Sequence, residues 1–357
     1  MKRVIAVMLS VLFVCCMASC GAAQEDEPVA LEGSEISLIA YGDTIEDGAF
    51  NQAAWECIER FSAEYQIPAK HYITAEDGQD AYLDLIQQAA EDGAKIIVMT
   101  GSHFETTAYE AQKKYQDIKF LLVDGVPHDD QDHYEIASNA ISVVFAEEEA
   151  GYLAGYAVVR DGYRKLGFLG GEELPAIKRY GYGFVQGAAA AAAELNTRVE
   201  MKYAYTGTLE ASKEIEQQAQ DWYQAGTEVI FACGGSMGKS VMKTAETMEK
   251  KVVGVDIDQS VLSETVITSA EKQIDVAVEG VLKDYKNDTF VGGNAFNYAA
   301  RNNGISLELE HARFQTFQEE DYETVLKKIE TGEIELKKDT GVKSVNELAG
   351  NRVKISE

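Results

Sequence analysis

Basic residues, proline, cysteine and tryptophan are all scarce in this 357-residue chain. Lys and Arg number 32 against 60 Asp and Glu, a formal net charge of −28. So acidic a chain repels phosphodiesters, which excludes a general nucleic-acid binder and a protein held by anionic lipid headgroups. Five cysteines over this length do not make a disulfide scaffold. Only four prolines, with 9% aromatic and 46% hydrophobic residues, exclude disorder as the main state. The length suits two domains of about 150 residues, or one large α/β unit.

The N-terminus differs from everything after it. Lys2 and Arg3 precede an uncharged, mostly apolar run of 13 residues, Val4 to Cys16. As a helix that run reaches about 20 Å, short of the ~30 Å hydrocarbon core, so a secretory signal fits better than a permanent anchor. Met17-Ala18-Ser19-Cys20 resembles a lipobox, with Met17 where Leu is usual. The expectation is cleavage of residues 1–19 and lipidation of Cys20, in preference to ordinary signal cleavage near Ala22-Ala23. The cut chain has 338 residues, and losing Lys2 and Arg3 takes its charge to −30. Residues 20–33, acidic and polar, read as a tether. Cys57 and Cys233 remain and read as small buried hydrophobes.

Beyond Gly33, short apolar runs alternate with helix-period segments. Strands are expected at 36–41, 70–73, 96–100, 120–124, 136–143, 166–169, 200–205, 229–233, 252–256 and 266–269. Their runs are continuous rather than alternating, as in parallel sheets buried on both faces. Helical faces lie between them, beginning with Ala54, Cys57, Ile58, Phe61 and Tyr65 and including a segment at 184–195. Repeated βα units imply α/β architecture with open, doubly wound sheets, and so many strands divide better between two lobes. In such sheets ligands bind beyond the carboxyl ends of strands. That rule selects Tyr41 to Asn51, Gly101-Ser102, Asp124-Gly125, Gly234 to Gly238 and Asp256 to Gln259. None of these loops holds a nucleophile with a base, so no catalytic group is expected.

Several motifs imitate other chemistry. Gly234-Gly235-Ser236-Met237-Gly238-Lys239-Ser240 follows a strand and opens a helix, but is one residue short of a Walker loop, with Cys233 where the first Gly belongs. It reads as a glycine-rich βα turn. Gly181-Tyr182-Gly183 with Gly187 spaces its glycines wrongly for a dinucleotide fingerprint. No pair among His71, His103, His128, His133 and His311 has metal-ligand spacing, and the 128–133 loop reads as solvated rather than as a zinc site. The acid runs Glu147-Glu148-Glu149 and Glu319-Glu320-Asp321 begin helices, where they complement the helix dipole. Trp55 reads as core packing. No cofactor or metal is expected.

Glu46-Asp47-Gly48-Ala49-Phe50-Asn51-Gln52, together with the lipobox, resembles the basic membrane protein (BMP) family of ABC-transporter substrate-binding lipoproteins, which includes purine-nucleoside receptors; Ala49 stands where the family has Ser. Matching segments follow in order: Phe120 to Asp124, Glu148 to Gly155, a Gly-Phe turn at Gly183-Phe184 with Gly187, Val229 to Phe231 with Gly235 and Gly238, Gly254 to Gln259, and Thr268-Ser269 leading to Lys272. The resemblance covers about residues 34–300. It implies a type I periplasmic-binding-protein-like fold, two lobes joined by three hinge crossovers. Lobe one takes 34–142 with 267–290, lobe two takes 143–266 with 291–320, and 321–357 is a C-terminal helix and polar tail.

By motif, the resemblance implies that Phe50 stacks on a base, Asn51 and Asp124 read polar edges, and Asp256 and Lys272 hold hydroxyls. Gly235 permits close backbone approach, and Asp258 is an alternative to Asp256. Tyr41 occupies the place of a family Asp that binds the purine. A second stacking aromatic falls near Leu209, leaving Tyr180 or Tyr205 to replace it. The resemblance thus implies a receptor for a nucleoside-like small molecule, lipid-anchored on the extracytoplasmic face of the cell membrane and feeding an ABC permease. A lipoprotein sensor signalling through a membrane partner, or a receptor for a sugar or other polar solute, is the alternative.

Overall fold

The computed structural model describes residues 33–356. The expected signal segment, Cys20 and nearly all of the tether lie outside these residues.

Five parallel strands, the first three each followed by a helix, begin the first sheet. Its strands are β1 (Ile36–Tyr41), β2 (Ala69–Thr74), β3 (Ile96–Thr100), β4 (Lys119–Val123) and β5 (Ala140–Phe145). Helices α1 (Phe50–Tyr65), α2 (Gln79–Glu91) and α3 (Glu105–Lys114) connect them. Helix α4 (Glu147–Arg160) leads into the second lobe, where β6 (Lys165–Gly170), β7 (Val199–Tyr205), β8 (Val229–Cys233), β9 (Lys251–Asp256) and β10 (Val266–Lys272) alternate with α5 (Pro175–Glu194), α6 (Lys213–Gln224) and α7 (Met237–Met248). The chain returns through α8 (Ile274–Lys286) to β11 (Asn294–Tyr298), then crosses again to β12 (Ile305–Leu307), α9 (Glu319–Glu330) and β13 (Val353–Ser356). The sheet orders are β11-β5-β4-β3-β1-β2 and β12-β10-β9-β8-β6-β7-β13. The connections β5–β6, β10–β11 and β11–β12 pass between the sheets, giving three crossovers. Among the described residues no helix is long and apolar enough to cross a membrane.

The central strands carry fully buried runs such as Ile96 to Met99 and Val229 to Cys233. Apolar helix faces cover both sides of each sheet, which is why these strands read as continuous apolar runs. Three lobe boundaries differ from expectation, the first because β5 carries residues 143–145, expected in lobe two, in the first sheet. Residues 266–272 pair in the second sheet, because β10 lies parallel to β9. Residues 294–298, placed by sequence in lobe two, pair with β5 in the first sheet. The strand expected from Ile136 begins at Ala140, because the Asn139 side chain ties the approach to the carbonyls of Gln112, Tyr115 and Ile118.

Helix α5 begins at Pro175, well before the residues expected to be helical, and Gly181 and Gly183 lie inside it rather than in a turn. They serve close packing. A Cβ on Gly183 would stand 2.0 Å from the Glu148 carbonyl oxygen, and one on Gly187 2.0 Å from that of Tyr152. Gly151 and Gly155 of α4 face Tyr180 and Phe184 of α5 in the same way, at 2.1 Å. Glycines four apart on each helix therefore let two backbones meet directly.

Gly183→Ala is expected to destabilise the chain by about 3 kcal/mol or more, since backbone cannot move aside like a side chain. The exposed Gly280 of α8, with nothing near its missing Cβ, supplies the contrast: Gly280→Ala should stabilise by about 0.5–1 kcal/mol. Denaturant unfolding of both variants checks the pair.

Candidate functional site

The carboxyl ends of the two sheets face each other across a cleft. Each wall is set by how its strand ends. Strand β4 runs directly into Asp124 and β9 finishes on Asp256, both in the left-handed region at φ 63° and 68°. Acids tolerate that conformation, and its concentration at two facing strand ends marks a functional position. At the end of β8, Gly234 and Gly235 have φ 144° and 56°, and a Cβ on Gly235 would crowd the Leu209 carbonyl at 3.0 Å.

The start of α1 forms the floor of the first lobe. Asp47 accepts hydrogen bonds from the backbone N–H groups of Ala49 (2.8 Å), Asn51 (3.0 Å) and Gln52 (3.1 Å). It thus caps the helix and directs Phe50 and Asn51 into the cleft. Burial outweighs these bonds and pushes the Asp47 carboxyl up to about 6. The Asn51 amide donates to the Tyr41 carbonyl at 3.0 Å and its oxygen accepts from the Thr100 hydroxyl at 2.7 Å. One N–H and one lone pair of that amide remain uncommitted by these bonds.

At the centre lies the Lys272 ammonium, buried at the end of β10. It donates to Asp124, and Glu147 and Asp256 lie 3.3 Å and 3.8 Å away. The rings of Phe50, Phe145 and Tyr180 surround it at 4.9–5.4 Å. The Tyr180 hydroxyl donates to Asp256 at 3.2 Å. Three carboxylates around one ammonium leave a surplus of buried negative charge. Burial, reinforced by Glu147 and Asp256, outweighs Lys272 and pushes the Asp124 carboxyl up to about 7. The carboxylates hold the Lys272 ammonium above its ordinary value, against the opposing effect of its burial. Asp124 Oδ1 is buried without a hydrogen-bond partner.

All seven ligand residues expected from sequence, Tyr41, Phe50, Asn51, Asp124, Gly235, Asp256 and Lys272, line this one cleft. Asp258 does not; it turns away to His311 at 2.9 Å. Gln259 of the same segment reaches the Gly48 carbonyl at 2.8 Å and ties the lobes together. Lys239, from the imitation phosphate loop, likewise reaches the Glu46 carbonyl at 2.6 Å. Tyr180 and Leu209 line the cleft, whereas Tyr205 is spent on the Tyr203 hydroxyl at 2.9 Å. Trp55 packs against His71 outside the lining. The 128–133 loop satisfies itself, with Asp129 accepting from two backbone N–H groups and meeting His133 at 3.0 Å.

Sequence reasoning missed three contributors. Glu147, read only as complementing a helix dipole, is buried against Lys272. His103 packs against Tyr41 at a tilt of 39°, with centroids 4.4 Å apart, and meets Glu172 of the other lobe at 2.9 Å. Arg179 touches Glu147 from behind, at 3.4 Å. A buried lysine in a chain so rich in acid was the available signal for Glu147; nothing local marks the other two.

Residues 34–340 match the Bmp family, described as ABC transporter substrate-binding protein PnrA-like. The ABC transporter nucleoside-binding protein BmpA of Lactococcus lactis is 26% identical over 87% of this chain and 92% of its own. Basic membrane protein A1 of Borrelia garinii is 28% identical over 82% and 85%. A solute-binding protein of an ABC transporter system from Aeropyrum pernix superposes with a TM-score of 0.76 at 20% identity, over 88% of this chain and 95% of that one. That last likeness establishes the fold.

The raised carboxyls of Asp47 and Asp124 hold protons in the folded chain that an unfolded carboxyl, near 3.9, has released. Their contribution is complete below about pH 4 and is lost as pH rises through 6 to 7. The thermal midpoint should therefore fall between about pH 5 and about pH 8. Asp124→Asn should make that fall shallower; a midpoint that climbs over the interval contradicts the assignment.

Proposed function

The chain belongs to the Bmp family of PnrA-like ABC transporter substrate-binding proteins, and from that premise we propose that its cleft captures a nucleoside-like small molecule for an ABC importer. The body would be tethered by lipid on Cys20 to the extracytoplasmic face of the cell membrane. The observation that carries the ligand reading is Asp124 Oδ1, a buried acceptor without a donor, among Asn51, Asp256 and Lys272 and near the Phe50 ring. A ligand offering a planar ring and several N–H or O–H donors supplies what these groups lack. The ring stacks on Phe50, Asn51 and Asp124 read its polar edge, and Asp256 with Lys272 holds a pair of hydroxyls. The backbone at Gly235 comes close without a side chain in the way. The L. lactis relative, named as nucleoside-binding, supports the same class.

Charge narrows the class further. Asp43, Asp47, Asp124, Glu210 and Asp256 line the cleft against Lys272, with His103 the other nitrogen base. A phosphate entering that field meets net repulsion, so the reading favours nucleosides over nucleotides. Ligand bridging the lobes would stabilise their closed arrangement, which a permease can then recognise.

A thermal-shift screen of nucleosides, nucleobases and sugars tests this. A nucleoside at a hundred times its dissociation constant should stabilise by about 2.7 kcal/mol, and its 5′-monophosphate should leave the midpoint unmoved. Hits from ribose or glucose alone would sink the nucleoside reading in favour of a sugar receptor. With a hit in hand, Asn51→Ala should weaken binding about tenfold or more, as expected for losing a buried polar contact, measured by calorimetry.

A further inference from the structure

The tail after α9 had no legible role in the sequence, yet its residues 337–339 are docked one after another onto the second lobe. The Gln186 side chain clamps the Lys337 backbone, donating to its carbonyl and accepting from its N–H, both at 2.9 Å. Lys338 reaches the buried Glu148 at 2.6 Å. Asp339 meets Arg179 Nε at 3.0 Å. Further on, β13 pairs in parallel with β7 and secures the far end.

Arg179 does not stop at Asp339. Its Nη1 lies 3.4 Å from Glu147 Oε2, while Glu147 Oε1 lies 3.3 Å from Lys272 Nζ. From tail to cleft the charges alternate: Asp339, Arg179, Glu147, Lys272, then Asp124 and Asp256. We propose that the C-terminal tail is a working part of the ligand site, with Asp339 a positioning residue that acts through Arg179 and Glu147 on the Lys272 ammonium.

The physical argument is one of sharing. The Arg179 guanidinium is a planar fork that can bind one carboxylate through two nitrogens. Asp339 at Nε holds the guanidinium in an orientation that offers Glu147 only Nη1, at 3.4 Å, and Glu147 keeps its other oxygen for Lys272. With Asp339 neutralised, the guanidinium loses that anchor and is free to turn its Nη1 and Nη2 end onto Glu147 and draw it from Lys272. The ammonium then relies on Asp124 and Asp256, the two acids a ligand must engage. Lys338 is the internal contrast: it docks the same tail segment but onto Glu148, which pairs with neither Arg179 nor Lys272 and acts on Arg179 and Glu147 only through space.

That the cleft receives a nucleoside rests on the reading above; the chain of contacts does not, and the experiment separates the two. In the full-length protein, the 15N-lysine NH3+ resonance of Lys272 is assigned by its loss in Lys272→Met. It should move in Asp339→Asn and in Arg179→Lys, return to the original position in Asp339→Glu, and move less in Lys338→Met than in Asp339→Asn. Inosine, titrated in parallel, should bind Asp339→Asn about fivefold more weakly than the unaltered chain, the lower end of ordinary coupling between sites. A Lys272 resonance unmoved in both Asp339→Asn and Arg179→Lys overturns the proposal. So does a moved resonance with unchanged affinity in a protein that binds inosine. If the unaltered chain ignores inosine, the nucleoside reading fails, and the resonance alone decides whether the tail governs Lys272.

Discussion

One buried ammonium organises this molecule. Lys272 arrives on the last long strand of the second sheet and is met by an acid from each side of the cleft. A lone desolvated ammonium would be prohibitively costly, and so would the carboxylates around it. Each is tolerated only because the others are held in place. The neighbourhood is therefore geometrically demanding: strand ends, a helix start and three aromatic rings must all converge on one nitrogen.

The glycine-packed pair of helices meets much of that demand. Helix α4 begins with Glu147, and α5 carries Arg179 and Tyr180 in its first turns. Direct backbone contact between the helices fixes these three side chains relative to one another far more tightly than interdigitated side chains would. The same packing buries Glu147 and Glu148 and so obliges both to find cations, which they do in Lys272 and Lys338. Glu149 takes a different course and accepts from the Ala300 backbone N–H at 2.7 Å, at the crossover between β11 and β12. Three successive glutamates that look interchangeable as helix-start acids have three separate structural tasks.

Legibility in the sequence followed burial. Strands covered on both faces left continuous apolar runs, and each of the first ten was found to within a few residues. β11, β12 and β13 were missed because they are short edge strands with polar or exposed residues, such as the largely exposed Asn294–Tyr298. The first half of α5 was missed because glycines that admit a neighbouring backbone look, in one dimension, like glycines that turn a chain. The cleft was legible where strand ends carry aromatic, amide or acidic residues, and Tyr41, Asn51, Asp124 and Asp256 converge on it. Arg179 and Asp339 lie about 160 residues apart; no local pattern marks such a contact.

The ammonium also bears on how the lobes hold together. Asp124 belongs to the first sheet and Lys272 to the second, so parting the lobes would separate the pair and return both to water. Coulomb attraction favours the closed arrangement and hydration the open one, and for buried ion pairs the two nearly cancel. The balance then falls to smaller contacts across the cleft: His103 with Glu172, Lys239 with the Glu46 carbonyl, and Gln259 with the Gly48 carbonyl. The second of these is exposed and worth little. Such a hinge is poised rather than locked, and a few new hydrogen bonds, to Asp124 Oδ1 first of all, suffice to tip it.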